Sequence, residues 1–468
     1  MSVKDLKNIC EEVLSKILPT PEETQQALNL FNEISLRLEP LLKDLNYPYR
    51  ISLEGSVSKN THLRNDMDLD VFVLIRYEGM SKEWLEDLVD DMCDVLSEFR
   101  PIKLYASHPY LRFKEGGIEV DVVPAYMAHD VGEIRTAVDR TIFHTNFVKG
   151  KLNGNALNEV RLLKKFFKGI EVYGAEIKTE GFSGYLTELI IIYYGSFIDA
   201  VKGISNWRFP QVVDLHRRYD DMRDYLRIYG KRPLIFPDPV DHRRNVAAAL
   251  SVKSFSSAVL ACRRFLERPS VNYFFPKVEV GGWNDLEGSL NERKTAVVGY
   301  IISYKAGTSP DVIWGELKKC LRRGENILRQ FNFEVFDSNL WCDEVSKAVL
   351  LYEVFPPKLH QYALHVGPKA FRGDDADKFI RKYLRAEGVV GPWINELGDL
   401  MVLKTRKYLT PYDVLFNEAG KVLQVKHIER YKVIDVADLR EIFVGFDDFR
   451  VWLYKFVRKK PLWLDDAT

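Results

Sequence analysis

Three aspartates stand where an apolar strand would normally carry none. Asp68 and Asp70 open the run "DLDVFVLI", and Asp121 interrupts "IEVDVVPAY" between Val120 and Val122. Strand side chains alternate faces, so Asp68, Asp70 and Phe72 share one side while Leu69, Val71 and Val73 share the other. The first two carboxylates then sit side by side, with α-carbons about 6.6 Å apart. Like charges at that spacing repel, and packing them against a sheet is costly unless a cation or hydrogen bonds offset the cost. A divalent ion does so, and an all-oxygen ligand set suits Mg2+, which completes its shell with phosphates and water. If the strand of Asp121 lies beside that of Asp70, three carboxylates converge, enough to bridge two metals about 4 Å apart.

Just upstream, Gly55-Ser56 follows a short apolar segment. A Gly-Ser turn leaving a strand points backbone amides and a hydroxyl at phosphate oxygens, and Lys59 adds charge. A D-x-D pair alone is weak evidence, since surface strand ends also carry solvated acids; the turn, the pair and the third Asp together are far more specific. Other chemistries find little support. There is no G-x-x-x-x-G-K-[ST], no H-E-x-x-H and no G-x-G-x-x-G after a strand. Gly181-Phe182-Ser183-Gly184 has its second glycine one residue too early for a nucleophile elbow. Cys10, Cys93, Cys262, Cys320 and Cys342 form no C-x-x-C pair, so neither a disulfide framework nor a zinc site is expected, and a reducing cytoplasm fits.

The elements that must position these residues follow from patterning. With 468 residues and 46% hydrophobic content, the chain can build two to four domains with real cores. Its 67 basic and 67 acidic residues balance, so any nucleic-acid argument has to come from local clusters. Met1 to Lys7 lacks an apolar run before a cleavage site, and no secretory signal is expected. The most apolar window, Leu186 to Ile198, is too short to span a bilayer and reads as a core helix. Thr20-Pro21-Glu22-Glu23 is a capping box that predicts a helix from Pro21 toward Leu42. Strands are predicted near Ile51 to Gly55, Leu69 to Ile75, Tyr110 to Phe113 and Gly117 to Val123, with a helix around Lys82 to Phe99. From Asn155 to about Leu266 the period is helical. There Arg161, Lys164, Lys165 and Lys168 line one face, which on pattern alone reads equally well as solvated surface. Strand, helix, strand, strand, helix and strand then follow at 295–303, 310–330, 333–336, 347–355, 374–385 and 400–405, the split order of ferredoxin-like domains. A last helix is predicted at 447–459.

The flanking text narrows the reading. "GSVSKNTHLRNDMDLDVFVL", "EVDVVPAY", "AVDRTIFH", "RLLKKFFKGIEVYGAEIKTEGFSGYL", "DPVDHRRNVAAALS" and "HVGPKAF" together resemble the archaeal, class I CCA-adding enzymes of the DNA polymerase β nucleotidyltransferase superfamily. The resemblance implies an α+β, multidomain chain with a polymerase-β-like nucleotidyltransferase head (1–140), a helical neck (141–268), and a ferredoxin-like α+β body with a C-terminal tail (269–468). It also implies template-independent addition and repair of the 3' terminal CCA of tRNA from CTP and ATP, a cytoplasmic setting and a homodimer. Carried onto matching positions, Asp68, Asp70 and Asp121 would be the catalytic metal ligands for Mg2+. Ser56, Lys59, Lys164 and Tyr173 would hold the triphosphate, His144 would face the nucleotide, and Arg244, with Arg243 the alternative, would read the base. Two positions depart from the family: Lys59 stands where Arg is usual, losing the bidentate fork, and Thr145 follows His144 where a second His is common.

The tRNA contacts are expected in the second half, where Lys378, Arg381, Lys382 and Arg385 cluster in "KFIRKYLR" and "KTRKY" interleaves charge with an aromatic. Two rivals remain open on the residues alone. One is an A-only terminal transferase such as a poly(A) polymerase or oligoadenylate synthetase, and the other is a catalytically decayed RNA-binding scaffold.

Overall fold

The computed structural model describes residues 3–105, 108–277 and 280–467. They divide into two compact units, one of Met1–Lys277 with Pro461–Thr468 and one of Val278–Lys460.

The first unit begins with α1 (Val3–Ile17) and α2 (Pro21–Asp44), the latter opened by the expected box: Thr20 Oγ1 accepts from the Glu23 amide at 3.2 Å and Glu23 Oε2 from the Thr20 amide at 2.7 Å. A five-stranded sheet follows, built from β1 (Tyr49–Glu54), β2 (Asp68–Ile75), β3 (Ile102–Tyr105), β4 (Pro109–Glu115) and β5 (Ile118–Tyr126) in the order β1-β2-β5-β4-β3. A helical turn, α3 (Gly55–Ser58), leaves β1, and α4 (Lys82–Val95) leads away from β2. Only β2 and β5 run parallel. Leu69, Val71 and Val73 pack with Val120 and Val122 beneath α2 and α4, against Ala27, Ile34, Leu88 and Met92. Period-2 alternation therefore puts the acidic positions of both strands on the opposite face, where Phe72 and Leu74 pack with Ile142 of the helix that follows.

Helices α5 (Thr141–Lys151), α6 (Ala156–Gly169), α7 (Gly184–Tyr194), α8 (Phe197–Ser205), α9 (Met222–Tyr229) and α10 (Val252–Glu267) follow, with a short parallel pair, β6 (Gln211–Val212) and β7 (Leu234–Ile235). Their core is aromatic, with Phe166, Phe167, Phe182, Phe197 and Phe265 buried together. Cys10, Val13 and Ile17 of α1 join it, as does Trp463 from the chain's end. Of the window Leu186 to Ile198, Leu186 to Ile191 is buried core, as expected, but Tyr193 is exposed and Gly195 splits the segment between α7 and α8. Ser183, which lacks the glycine spacing of a nucleophile elbow, is the N-cap of α7 and accepts from the Leu186 amide at 3.1 Å.

The second unit holds α11 (Trp283–Arg293), β8 (Ala296–Tyr304), α12 (Pro310–Gln330), β9 (Glu334–Cys342), β10 (Lys347–Phe355), β11 (Tyr362–Lys369), α13 (Gly373–Tyr383), β12 (Val389–Ile394), β13 (Asp399–Thr405), α14 (Pro411–Asn417), α15 (Ala419–Val422), β14 (Ile428–Asp435), α16 (Val436–Gly445) and α17 (Asp447–Arg458). Its main sheet is fully antiparallel in the order β14-β8-β10-β9, the split strand-helix-strand arrangement expected. Two members of the predicted series were misassigned. The closing helix and strand are α14–α15 and β14, while residues 374–385 and 400–405 belong to a separate layer, the three-stranded sheet β11-β13-β12 with α13 packed on it. Amphipathic patterning identifies elements without saying which sheet they join, so an insertion with the same strand-helix-strand grammar is read as continuation.

Candidate active site

The strand registers assemble a row of charge across the face of the first sheet opposite α2 and α4. Asp70 pairs with Asp121 across β2 and β5, Glu54 with Asp70 across β1 and β2, and Arg112 with Asp121 across β4 and β5. Asp68 lies opposite Glu119 in the next row. Burial, reinforced by Asp121 and Asp68, raises the Asp70 carboxyl to about 7. Asp68 is also raised, by burial and then by Asp66. Asp121 is held in a bidentate grip, with Arg112 Nε and Nη2 each 2.7 Å from one of its oxygens. Glu54 is 3% exposed; Ser52 donates to its Oε1 at 2.6 Å, while Oε2 has no hydrogen-bond partner.

This donor set fits a hard divalent cation. All its ligating atoms are oxygens, and Asp70 is raised first by burial and then by the neighbouring Asp121 and Asp68 carboxylates, a cost that a bound cation would offset. As the side chains stand, no three His, Cys, Asp or Glu among the described residues close on one metal position; the oxygens of Asp121 are turned to Arg112.

Above the acids, Gly55 starts α3 at φ +66°, a left-handed conformation suited to glycine. A β-carbon there would meet Asp70 Oδ2 at 1.7 Å, so the turn and the carboxylate share one space. Gly55, Ser56, Lys59, Thr61, Asp68, Asp70, Asp121, Lys164, Tyr173 and Glu188 are among the residues lining a cleft of about 250 Å3. The basic face of α6 is partly covered: Arg161 and Lys164 are buried, while Lys165 and Lys168 are half-buried. Arg161 donates to the His62 carbonyl at 3.0 Å and to Asn60 at 2.7 Å, Lys168 pairs with Asp66, and Lys164, 7% exposed, lies 5.5 Å over the Tyr173 ring. Lys59 is differently placed from its expected free role. Its Nζ is 2.7 Å from Glu188 Oε2, and Thr61 donates to the other Glu188 oxygen at 2.9 Å.

The base-reading candidates gather along α7. His144 lies within α5 rather than on a loop, its ring stacked on Tyr185 at 3.9 Å. His144 Nε2 is 2.9 Å from Asp238 Oδ2, and Arg244 Nη1 donates to the same oxygen at 3.0 Å. Arg243 is the partner of Asp241, at 3.4 Å, and its side chain is 76% exposed against 39% for Arg244. Asp139 is structural: it accepts from the amides of Tyr126, Arg135 and Thr136.

Three family descriptions match in sequence: "nucleotidyltransferase domain" over residues 37–144, "tRNA nucleotidyltransferase, second domain" over 158–275, and "CCA-adding enzyme, C-terminal domain" over 295–434. A curated CCA-adding enzyme of Saccharolobus shibatae is 35% identical over 456 residues, covering 97% of this chain and 99% of its own length. The chain belongs to the CCA-adding enzymes. Another relative, the CCA-adding enzyme of Pyrobaculum islandicum, is 36% identical over 419 residues, 89% of this chain and 94% of its own. A solved structure of the Cid1 poly(U) polymerase aligns at TM-score 0.46 and 15% identity over 58% of this chain and 98% of that one. Membership in the CCA-adding family carries nucleotide substrates and divalent-metal use with it.

Four residues of this CCA-adding enzyme's cleft and its surroundings escape a linear reading: Glu54, Arg112, Glu188 and Asp238. Glu188 and Asp238 are charges in otherwise apolar or turn-like text, and a buried charge needs a partner. Apart from Arg244, six residues from Asp238, the partners lie far away in sequence, so the signal was visible and its meaning was not.

Proposed function

We propose that this enzyme builds and repairs the 3' terminal C-C-A of tRNA, transferring CMP, CMP and AMP from CTP and ATP to the terminal 3' hydroxyl with release of pyrophosphate. The observation that carries the reading is the register that sets Asp70 beside Asp121 under a Gly-Ser turn, in a chain aligned end to end with CCA-adding enzymes. In this reading Asp68, Asp70 and Asp121 hold Mg2+. The ion, when bound, lowers the pKa of the attacking hydroxyl and neutralises charge on the leaving phosphates.

The chain's own groups do the positioning. The α3 turn and Ser56 face the triphosphate. Lys164 and Tyr173 complete that cradle, Lys164 carrying the charge that Lys59 shares with Glu188. His144 and Arg244 address the sugar and base end. Arg112 orients Asp121 beside Asp70 through two hydrogen bonds of 2.7 Å. Attack is in line at the α-phosphate, and rate enhancement comes mainly from orientation and electrostatics. We assign the sheet domain within residues 1–140 to catalysis, the helical domain from 141, which the last residues rejoin, to nucleotide and primer binding, and the unit Val278–Lys460 to tRNA binding.

Product sequencing after incubation with tRNA lacking its terminal C-C-A, together with CTP and ATP, tests the proposal. Ordered C, C and A is the expected product; incorporation of A alone would replace the reading with a terminal A-transferase. Asp121→Asn is expected to abolish nucleotide addition with an unchanged circular-dichroism spectrum, and wild-type-like addition would remove Asp121 from the site.

A cytoplasmic setting is supported by five cysteines without disulfides, of which Cys10, Cys262, Cys320 and Cys342 are buried. No helix among the described residues is long and apolar enough to cross a membrane. A homodimer is supported by one face of the β11-β13-β12 sheet, where Leu364, Val366 and Val390 are 56%, 57% and 52% exposed. Light scattering should give twice the chain mass, falling to one in Val366→Lys if that face carries the contact.

A further inference from the structure

We infer that Asp238 is the positioning residue of the nucleotide-selecting end: a single buried carboxylate that sets the direction of both Arg244 and His144. The inference rests on the proposed CCA addition and deepens it.

Asp238 is fully buried, so its carboxylate does not itself meet a substrate. Each of its oxygens is committed. Oδ2 receives Arg244 Nη1 at 3.0 Å and lies 2.9 Å from His144 Nε2; Oδ1 receives the Val240 amide at 2.9 Å and the Tyr185 hydroxyl at 3.3 Å. The loop that carries it is closed on itself. The Asp238 amide donates to the Arg244 carbonyl at 3.0 Å, and Asn245 Oδ1 accepts from the amides of Phe236 and Ala247 at 2.8 and 3.0 Å. Asp238 and Arg244 therefore move as one piece, while the Arg243 side chain beside them stands largely in solvent.

Two chemical consequences follow. A carboxylate accepts only, so neutral His144 carries its proton on Nε2 and presents Nδ1 as an acceptor. A guanidinium anchored through one Nη keeps its remaining N–H groups in a fixed fan. Cytosine offers acceptors at O2 and N3 and adenine offers N1, whereas uracil places an N–H donor at N3. A fixed donor fan rejects uracil because two donors would face each other. A swivelling one could retreat to the uracil carbonyls and lose the distinction. Selection is thus a property of the anchor as much as of the arginine.

The test uses the full-length enzyme and tRNA lacking its terminal C-C-A, measuring kcat and KM for CTP and UTP separately. Asp238→Asn is expected to lower the CTP-over-UTP preference in kcat/KM by at least about tenfold. The loss should fall mainly on the KM for CTP, with the melting temperature measured alongside. In the double variant with Arg244→Gln, the preference should drop no further than in Arg244→Gln alone. Should Asp238→Asn fail to fold, His144→Asn and Arg244→Gln with their double variant replace it. Residues steered by one carboxylate should show combined effects smaller than the product of the single effects. Wild-type preference in Asp238→Asn, or singles whose effects multiply, would overturn the inference and leave CCA addition standing. A wild-type enzyme that adds no C at all would overturn both.

Discussion

Asp70 lies where it does because Gly55 has no side chain. A methyl at that position would sit 1.7 Å from the carboxylate oxygen, at a φ of +66° that L-residues avoid. Gly55→Ala should therefore displace the turn or the acid, and a shift of about 1 Å at reacting groups costs on the order of 100-fold in rate. Steady-state kinetics should show that loss in kcat, with a smaller effect on the KM for CTP. The Gly-Ser turn and the two acids of β2 were legible in the sequence, because a glycine before a polar loop and carboxylates in apolar text are local signals. His62 was not. It is fully buried, 3.4 Å from Thr24 Oγ1, and burial together with Arg161 lowers it to about 4. A base depressed in the folded state stabilises the protein above its unfolded value near 6.5 and loses that stabilisation as pH falls through about 4. Denaturant titrations should show His62→Gln losing less stability than wild type between those two values, by up to about 3 kcal/mol.

At the level of elements, the basic stripe of α6 shows what periodicity can and cannot tell. Its spacing identified the helix and the stripe, but a solvated face and a buried anion-binding face have the same spacing. The loop of residues 59–67 folds over it, through Asn60, His62 and Asp66, and takes Arg161 and Lys164 out of solvent. The same loop is fastened to α7 by the Lys59–Glu188 pair, whose side chains are 9% and 3% exposed. Removing one partner of such a pair leaves an unmatched buried charge, at a cost of about 3 to 5 kcal/mol. Glu188→Gln should lower stability by that order in urea titrations. Glu188→Gln combined with Lys59→Met should recover part of the loss. The final helix-strand pair of the body escaped the linear reading for a related reason. Antiparallel pairing with β8 is decided by register over more than a hundred residues of separation, and β14 carries no local mark of it.

For the molecule as a whole, balanced net charge means that any grip on RNA has to be local. The second unit supplies a candidate in α13, where Lys378 and Lys382 line a concavity with His365, Phe379 and Tyr383, and Lys382 lies 5.2 Å over the Tyr383 ring. Lys382→Glu should weaken tRNA binding across sequences and make the slope of log affinity against log salt shallower by about one. Filter binding over a salt series measures both, and an unchanged slope would make this helix ordinary surface.

In the proposed reading, helix α7 ties the two ends of the nucleotide site together. Gly184, Thr187 and Glu188 border the cleft over the acids, while Tyr185 touches His144 and Asp238. One turn of backbone would thereby act as a gauge block between the proposed grip on the phosphates and the proposed reading of the ring. Inserting a single alanine after Leu186 would rotate Thr187 and Glu188 by about 100° relative to Tyr185. A nucleotide seated by its tail would then present its base out of alignment with the reader.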